Sequence, residues 1–238
     1  MKNRRIAISG TYSTGKTTTS YALSFLTGIP RTHAQTMREI LPVINPGKRL
    51  EDCTPPELYE LGIRRLTERV NCETLLKDGF VSDGSALHEW VYGKARLKVG
   101  LNPNEKGTKR LVSKIKLLPY TIPMSKFIGD YEKLVKYHTT KSYDIFIHLP
   151  IEFPIALDGH RPVNENFRKL SDNYLVDTLK ELGMPYIVAG GSVEERLEKI
   201  VRLLNLPMVM TVREAVALAK VETHKRNSLE IEYDPNSK

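Results

Sequence analysis

The chain has 238 residues, 40% of them hydrophobic, and a formal net charge of +8. That length suits one α/β domain with room for an insertion or tail, and the apolar content is enough for one sizeable core. No apolar run nears the roughly 20 residues of a membrane span. Met1-Lys2-Asn3-Arg4-Arg5 leads straight into a strand pattern with no signal-peptide stretch, and Cys53 and Cys72 form no C-x-x-C pair, so the expectation is a reduced, cytoplasmic protein with no membrane role.

Arg5–Ser9 reads as a first strand. Residues 10–17, Gly-Thr-Tyr-Ser-Thr-Gly-Lys-Thr, complete a G-x-x-x-x-G-K-[ST] phosphate-binding loop, and Thr18–Leu26 follows as a helix. Strand, glycine-rich loop and helix in that order form an anion site, because backbone N–H groups and the positive helix end converge there. The expected nucleotide contacts are Gly10, Ser13, Thr14, Gly15, Lys16, Thr17 and Thr18. Lys16 reaches the β- and γ-phosphates and the Thr17 hydroxyl ligates Mg²⁺. ATP and Mg²⁺ are thus the expected cofactors.

Gly28 closes the first helix, and Ile29–His33 is a second-strand candidate. Arg31 and His33 end it and Arg38 lies just beyond. They can meet the acceptor or its phosphate, with ordinary surface charge as the competing explanation. Residues 36–40 read as a brief helix or loop, and 42–56 as a loop punctuated by Pro42, Pro46, Gly47, Pro55 and Pro56. Thr54 caps a helix over 55–77, with Pro55 at its first position and Glu57 as capping-box partner. Phe80–Ser82 is a third strand that runs into Asp83-Gly84-Ser85. A carboxylate at a strand end can take an acceptor hydroxyl proton or hold Mg²⁺ through water. An Asp capping the next helix, Ala86–Leu97, is the plainer use. Ser85, His88 and Glu89 share that turn and can face a substrate, although a surface position is the simpler expectation for His88.

Lys94, Arg96, Lys98, Lys106, Lys109, Arg110, Lys114 and Lys116 crowd one stretch whose only acid is Glu105. It is either a solvated face or an electropositive rim for a phosphate-bearing or otherwise anionic substrate. Residues 124–137 read as a helix, and Tyr143–Leu149 as the strongest strand. Asp158-Gly159-His160-Arg161-Pro162 with Arg168 suggests a lid whose guanidinium groups close on the transferring phosphoryl; two solvent-exposed arginines are the alternative. Asn164–Leu182 is helical. Tyr186–Ala189 is a last strand, followed by Gly190-Gly191, where backbone at Gly191 can approach an adenine edge; a plain turn is the competing explanation. Ser192 caps a helix over Val193–Leu204. Residues 211–221 are helix-forming, and the charged, polar 222–238 read as a tail whose last dozen residues are ordered only by a partner.

The alternation predicts an α/β phosphate-loop nucleotide-binding fold. It has a five-stranded parallel sheet, helices on both faces, and the site at the carboxyl edge of the strands. The organisation expected is a kinase-like domain over 1–206, with a basic insertion at about 94–123 and a lid at about 158–168, then a C-terminal helix and polar tail over 207–238. No N-K-x-D guanine signal, no apolar run ending Asp-Glu and no close His/Cys cluster occurs.

GTYSTGKT, Arg31 to Glu39, FVSDG near residue 83, DGHRPVNENFR at 158–168 and AGGSVEERLEKI at 189–200 together resemble the AAA-type P-loop kinase-like domains. These include the nicotinamide riboside kinase domain of NAD-regulator proteins. The resemblance covers about residues 4–204 and implies a nucleoside-kinase-like fold. Gly10, Gly15, Lys16 and Thr17 match its phosphate and Mg²⁺ positions, Asp83 its strand-end acid, and Arg161 and Arg168 its lid. The basic stretch and the tail have no counterpart in it, there is no adenylyltransferase domain, and nicotinamide riboside is not carried over as substrate. The expected activity is ATP- and Mg²⁺-dependent phosphorylation of a hydroxyl on a nucleoside-, nucleotide- or sugar-like metabolite, itself neutral or anionic. The competing expectations are a regulatory ATPase acting on a macromolecule such as nucleic acid, and a nucleotide sensor without turnover. Nucleic acid is the lesser partner expectation, and a homodimer is left open.

Overall fold

The computed structural model describes residues 4–100, 107–108, 118–155 and 164–232, the side chains of Glu51 and of 229–232 aside. Among them four strands form one parallel sheet: β1 (Arg5–Ser9), β2 (Phe80–Asp83), β3 (Ile145–His148) and β4 (Tyr186–Val188), in the order β2-β1-β3-β4. β1 lies between β2 and β3, with Ile8 opposite Asp83 on one side and Ile147 on the other. The loop that leaves β1 therefore stands beside the carboxyl ends of both neighbours.

Side-chain alternation along β1 divides the core. Ile6 and Ile8 face α1 (Lys16–Thr27), α7 (Val193–Leu204) and α8 (Val212–Glu232), where they meet Leu23, Leu26, Leu197, Ile200 and Val216. Ala7, Phe80 and Phe146 face the other way, onto α3 (Pro55–Leu75), α4 (Ala86–Val99), α5 (Thr121–Ser142) and α6 (Glu165–Glu181). Trp90, Val135, Leu175 and Leu179 fill that side. Two apolar faces covered by helices are what a parallel sheet requires.

The expected fifth strand at 29–33 is corrected to a single parallel bridge, Arg31 to Val81. Pro30 has no N–H to extend the ladder, although its carbonyl accepts from the Val81 N–H at 2.8 Å. The expected loop after residue 42 is corrected as well. Helix α2 runs Met37–Ile44 through Pro42, started by a Thr36–Glu39 capping box. The C-terminal tail is corrected furthest: α8 continues helical to Glu232, with Ala215, Val216 and Ala219 buried against α1. The basic stretch over 101–106 and 109–117, most of the lid segment, and residues 233–238 lie outside the described residues; 94–99 belong to α4. Among the described residues no helix is long and apolar enough to cross a membrane.

Candidate active site

The phosphate loop connects β1 to α1 with each of its carbonyls engaged. The Gly10 carbonyl is 3.1 Å from His88 Nε2, and the Thr11 carbonyl accepts from Lys16 Nζ at 2.7 Å and Thr14 Oγ1 at 3.0 Å. The Tyr12 carbonyl accepts from Arg168 Nε at 2.9 Å and the Ser13 carbonyl from Arg168 Nη2 at 3.4 Å. The Thr14 carbonyl accepts from Arg196 Nη1 at 2.7 Å, and the Gly15 carbonyl from the Thr19 N–H at 2.9 Å. A turn whose carbonyls are held outward by donors presents its N–H groups on the inner side, where a phosphate sits. The backbone permits this through Ser13 at φ 57° and Gly15 at φ 85°. At Gly10, φ 137°, a Cβ would come within 2.7 Å of the Leu149 carbonyl, so only glycine fits.

Asp83 ends β2 beside the start of α1. It pairs with Arg31 Nη2 at 2.9 Å and accepts from the Thr17 hydroxyl. Burial raises its pKa, but the charges of Arg31, Lys16 and Arg226 outweigh that and bring it down to about 2, so the carboxylate is ionised at neutral pH. Arg31 is fully engaged beneath it: Nε donates to Ser20 Oγ, Nη1 to the Thr32 carbonyl, and the guanidinium lies 3.9 Å from the centre of the Tyr21 ring. Thr17 and Asp83 place two hard oxygen donors side by side next to the phosphate cradle. That set fits Mg²⁺, which takes one or two protein oxygens and keeps its remaining ligands from water and phosphate.

A cavity of about 300 Å³ opens from the loop. Tyr12 to Thr18, Asp83 and Gly84 contribute to its lining, as do Thr36, Met37 and Arg38 of α2 with its cap, Arg65 and Arg69 of α3, and His88, Glu89, Tyr92 and Arg96 of α4, together with Leu50 and Asn227. The α3–α4 wall is rigidly wired. Glu89 Oε1 lies 3.3 Å from Arg65 Nε and 3.5 Å from Arg69 Nη2; Arg69 also donates to Ser82 Oγ at 2.9 Å and to the Asp83 carbonyl. Arg65 donates to the Gln35 carbonyl, which ties α3 to the segment entering α2. Tyr92 stacks on Tyr12 with ring centroids 4.5 Å apart.

The structure brings Ser13, Thr14, Gly15, Lys16, Thr17, Thr18, Asp83 and His88 to this cavity. His88 is buried, not on the helix surface: burial, with Lys16 and Arg69 nearby, holds its pKa well below the ordinary 6.5, and Nδ1 accepts from the Ser85 N–H at 2.9 Å. Ser85 is the buried cap of α4, so the cap is Ser85 and not Asp83. His33 is exposed and does not line the cavity; Arg31 lies under Asp83, away from it. The Gly191 N–H donates to Glu152 Oε2 at 2.8 Å, outside the cavity. Arg168 stands behind the loop, 1% exposed, with Nη1 on the Phe153 carbonyl at 2.7 Å. Arg161 lies outside the described residues.

Arg196, Arg65 and Arg69 escape a reading of the sequence. Each falls on the buried stripe of its helix, Arg196 beside Leu197 and Ile200, Arg65 and Arg69 beside Leu61 and Leu66; an arginine in register with those leucines and isoleucines is the one available signal. Helix α8 is the other omission. Thr223 Oγ1 donates to Thr18 Oγ1 at 3.2 Å, Arg226 Nη2 reaches Glu39 at 3.1 Å and the Ala34 carbonyl at 3.2 Å, and Asn227 lines the cavity.

A family model described as an AAA domain matches residues 5–196. Among solved structures, the deoxyadenosine kinase of M. mycoides with bound dATP superposes with a TM-score of 0.59 at 16% identity, over 84% of this chain and 99% of that one. The same kinase with bound dCTP gives 0.53 at 19% identity, over 84% and 98%. At these identities the likeness is one of fold. No curated protein matches the sequence.

Proposed function

The chain belongs to the AAA-domain family, and we propose that within it this protein is an ATP- and Mg²⁺-dependent phosphotransferase acting on a hydroxyl of a nucleoside-like or sugar-bearing small molecule. One observation supports the reading: the ionised Asp83 stands beside the phosphate loop in the wall of a chamber of about 300 Å³, a small molecule's size. The shared fold with a deoxyadenosine kinase agrees with it.

The chemistry follows from the placements. Loop amides and Lys16 hold the donor phosphates; Thr17 and Asp83 would hold Mg²⁺, which when bound neutralises charge on the phosphoryl oxygens. Asp83, with its pKa near 2, is a weak base. It serves by accepting a hydrogen bond from the acceptor hydroxyl and aiming its oxygen at the γ-phosphorus. That oxygen forms the new P–O bond as the bond to the bridging oxygen breaks. ADP leaves, and the hydroxyl proton passes late along its hydrogen bond to the Asp83 carboxylate and from there to solvent water, as a loose transition state allows. Arg168 acts here as a positioning residue for the loop, through the Tyr12 and Ser13 carbonyls. A panel of nucleosides, nucleotides and sugars scored for ATP consumption tests the reading. Turnover with some of them supports it; stimulation of hydrolysis by nucleic acid alone would replace it with the macromolecular ATPase.

A further inference from the structure

Helix α2 and its cap bring Thr36, Met37 and Arg38 to the cavity, but little within the helix holds it there. It has eight residues, too few to persist alone in water, and Pro42 inside it lacks the N–H of a helical bond. Ile40 and Leu41 pack with Cys53 and Leu61 in a small cluster of their own, apart from the two clusters on the sheet. The position of α2 therefore depends on what fastens its first turn. One fastening comes from α3, where Arg65 donates to the Gln35 carbonyl.

Another comes from α8. Ala215, Val216 and Ala219 seat that helix on α1, and the same spacing continues through Thr223 and Arg226. Thr223 Oγ1 donates to Thr18 Oγ1 at 3.2 Å, in the first turn of α1. One turn further, Arg226 Nη2 donates to the Ala34 carbonyl at 3.2 Å and to Glu39 Oε2 at 3.1 Å. That same oxygen accepts the Thr36 N–H in the capping box of α2. The pair is partly buried, its side chains 14% and 20% exposed, and so is screened less than a surface pair. Burial opposes the charge on Glu39, but the Thr36 N–H and Arg226 prevail and hold its pKa below the ordinary carboxylate range. The AAA-domain match ends at residue 196. The phosphate loop and Asp83 lie inside it, and the fastening from α8 lies outside.

Resting on the kinase reading, we infer that Arg226 is a positioning residue for the acceptor: through Glu39 and the Ala34 carbonyl it holds the first turn of α2 in the cavity wall, and so sets acceptor affinity. Helix α8 thereby spans both halves of the site, the nucleotide half at Thr18 and the acceptor half at Glu39.

Hydrogen exchange and kinetics on wild type, R226Q, R226K, E39Q and R226Q/E39Q test this. In R226Q the amides of residues 39–41 are expected to exchange about tenfold faster, the scale of a lost hydrogen bond to a charged group, while those of α1 and of residues 215–219 keep their wild-type rates. With the panel member of highest turnover as acceptor, its KM is expected to rise about tenfold, with kcat and the KM for ATP within about threefold of wild type. R226K should recover part of both changes. The double variant should match the more affected single variant, because both substitutions break one pair. Unchanged exchange at 39–41, an equal rise in α1 and α8, or a loss that falls on the KM for ATP would each overturn the inference. So would effects of the two substitutions that simply multiply. If no panel member is phosphorylated, the kinase reading fails separately, and the exchange rates alone decide whether Arg226 holds α2.

Discussion

The Thr14 carbonyl and Arg196 Nη1 meet at 2.7 Å across 182 residues of chain. The bond fastens the middle of the phosphate loop to the first turns of α7, and the same guanidinium reaches Glu152 beyond β3 at 3.4 Å. One planar fork serves both partners, which an ammonium does not. Arg196→Ala leaves the Thr14 carbonyl without its donor and opens a buried hole. It is expected to cost about 2–4 kcal/mol of stability and to weaken ATP binding, with Arg196→Lys recovering part of each. Urea unfolding with and without ATP and Mg²⁺ measures both; wild-type stability in the alanine variant would remove Arg196 from the loop's support.

Lys16 gives the most direct readout of the nucleotide site. ATP with Mg²⁺ stabilises the native state by about 2.7 kcal/mol at a concentration 100 times its Kd, and the melting temperature rises accordingly. Lys16→Ala is expected to abolish the rise. GTP is expected to do no better than ATP, since the chain has no N-K-x-D guanine signal. A persisting shift in the variant, or a clear GTP preference, would count against the assignment.

Asp83→Asn keeps the shape and removes the charge. With the carboxylate aimed at the acceptor, turnover is expected to fall by about 10² or more while ATP affinity changes little. Arg31, 2% exposed, loses its only charged partner among the described residues, so the variant is also expected to lose about 3 kcal/mol of stability. Asp83→Glu, which retains the charge, separates the two effects: it should regain stability before it regains rate. Wild-type turnover in Asp83→Asn would leave the carboxylate a structural counter-ion.

Acid should unfold the protein in two stages. His88 is held well below 6.5, so the unfolded chain binds its proton first; this contribution is complete above pH 6.5 and is lost as pH falls below it. Asp83, lowered from 3.8 to about 2, contributes about 2 kcal/mol that is present above pH 4 and disappears between pH 4 and 2. Denaturant unfolding at pH 7.5 and 5.5 should show the first loss in the wild type and a smaller one in His88→Gln. The same fall in both proteins would place the titration elsewhere.

The phosphate loop, Asp83 and the run of β1, α1, α4, β3 and α7 were legible because each rests on local rules: a glycine-set turn, a capping box, an apolar stripe. Arg168 and Arg196 were not legible as loop supports, because their partners are backbone carbonyls, which leave no mark in residue identity. Their charge suggests a surface, and only the fold shows them 1% exposed. Helix α8 was cut short because its buried positions are small: Ala215, Val216 and Ala219 among charged neighbours make a faint stripe. Residues 29–33 have strand-like composition, but β pairing needs a continuous row of N–H donors, and Pro30 interrupts it.

Helix α8 closes over α1, yet the ribosome makes it long after α1. At 5–20 residues per second, about 10–40 s separate the end of α1 from the start of α8. During that interval the apolar side of α1 around Tyr21 and Leu26 lacks its cover, while the loop residues that hold phosphate are already made. A nascent chain halted before residue 212 is therefore expected to bind nucleotide, as protection from protease by ATP would show, before Asn227 completes the wall of the cavity. The nucleotide site thus precedes its own outer wall.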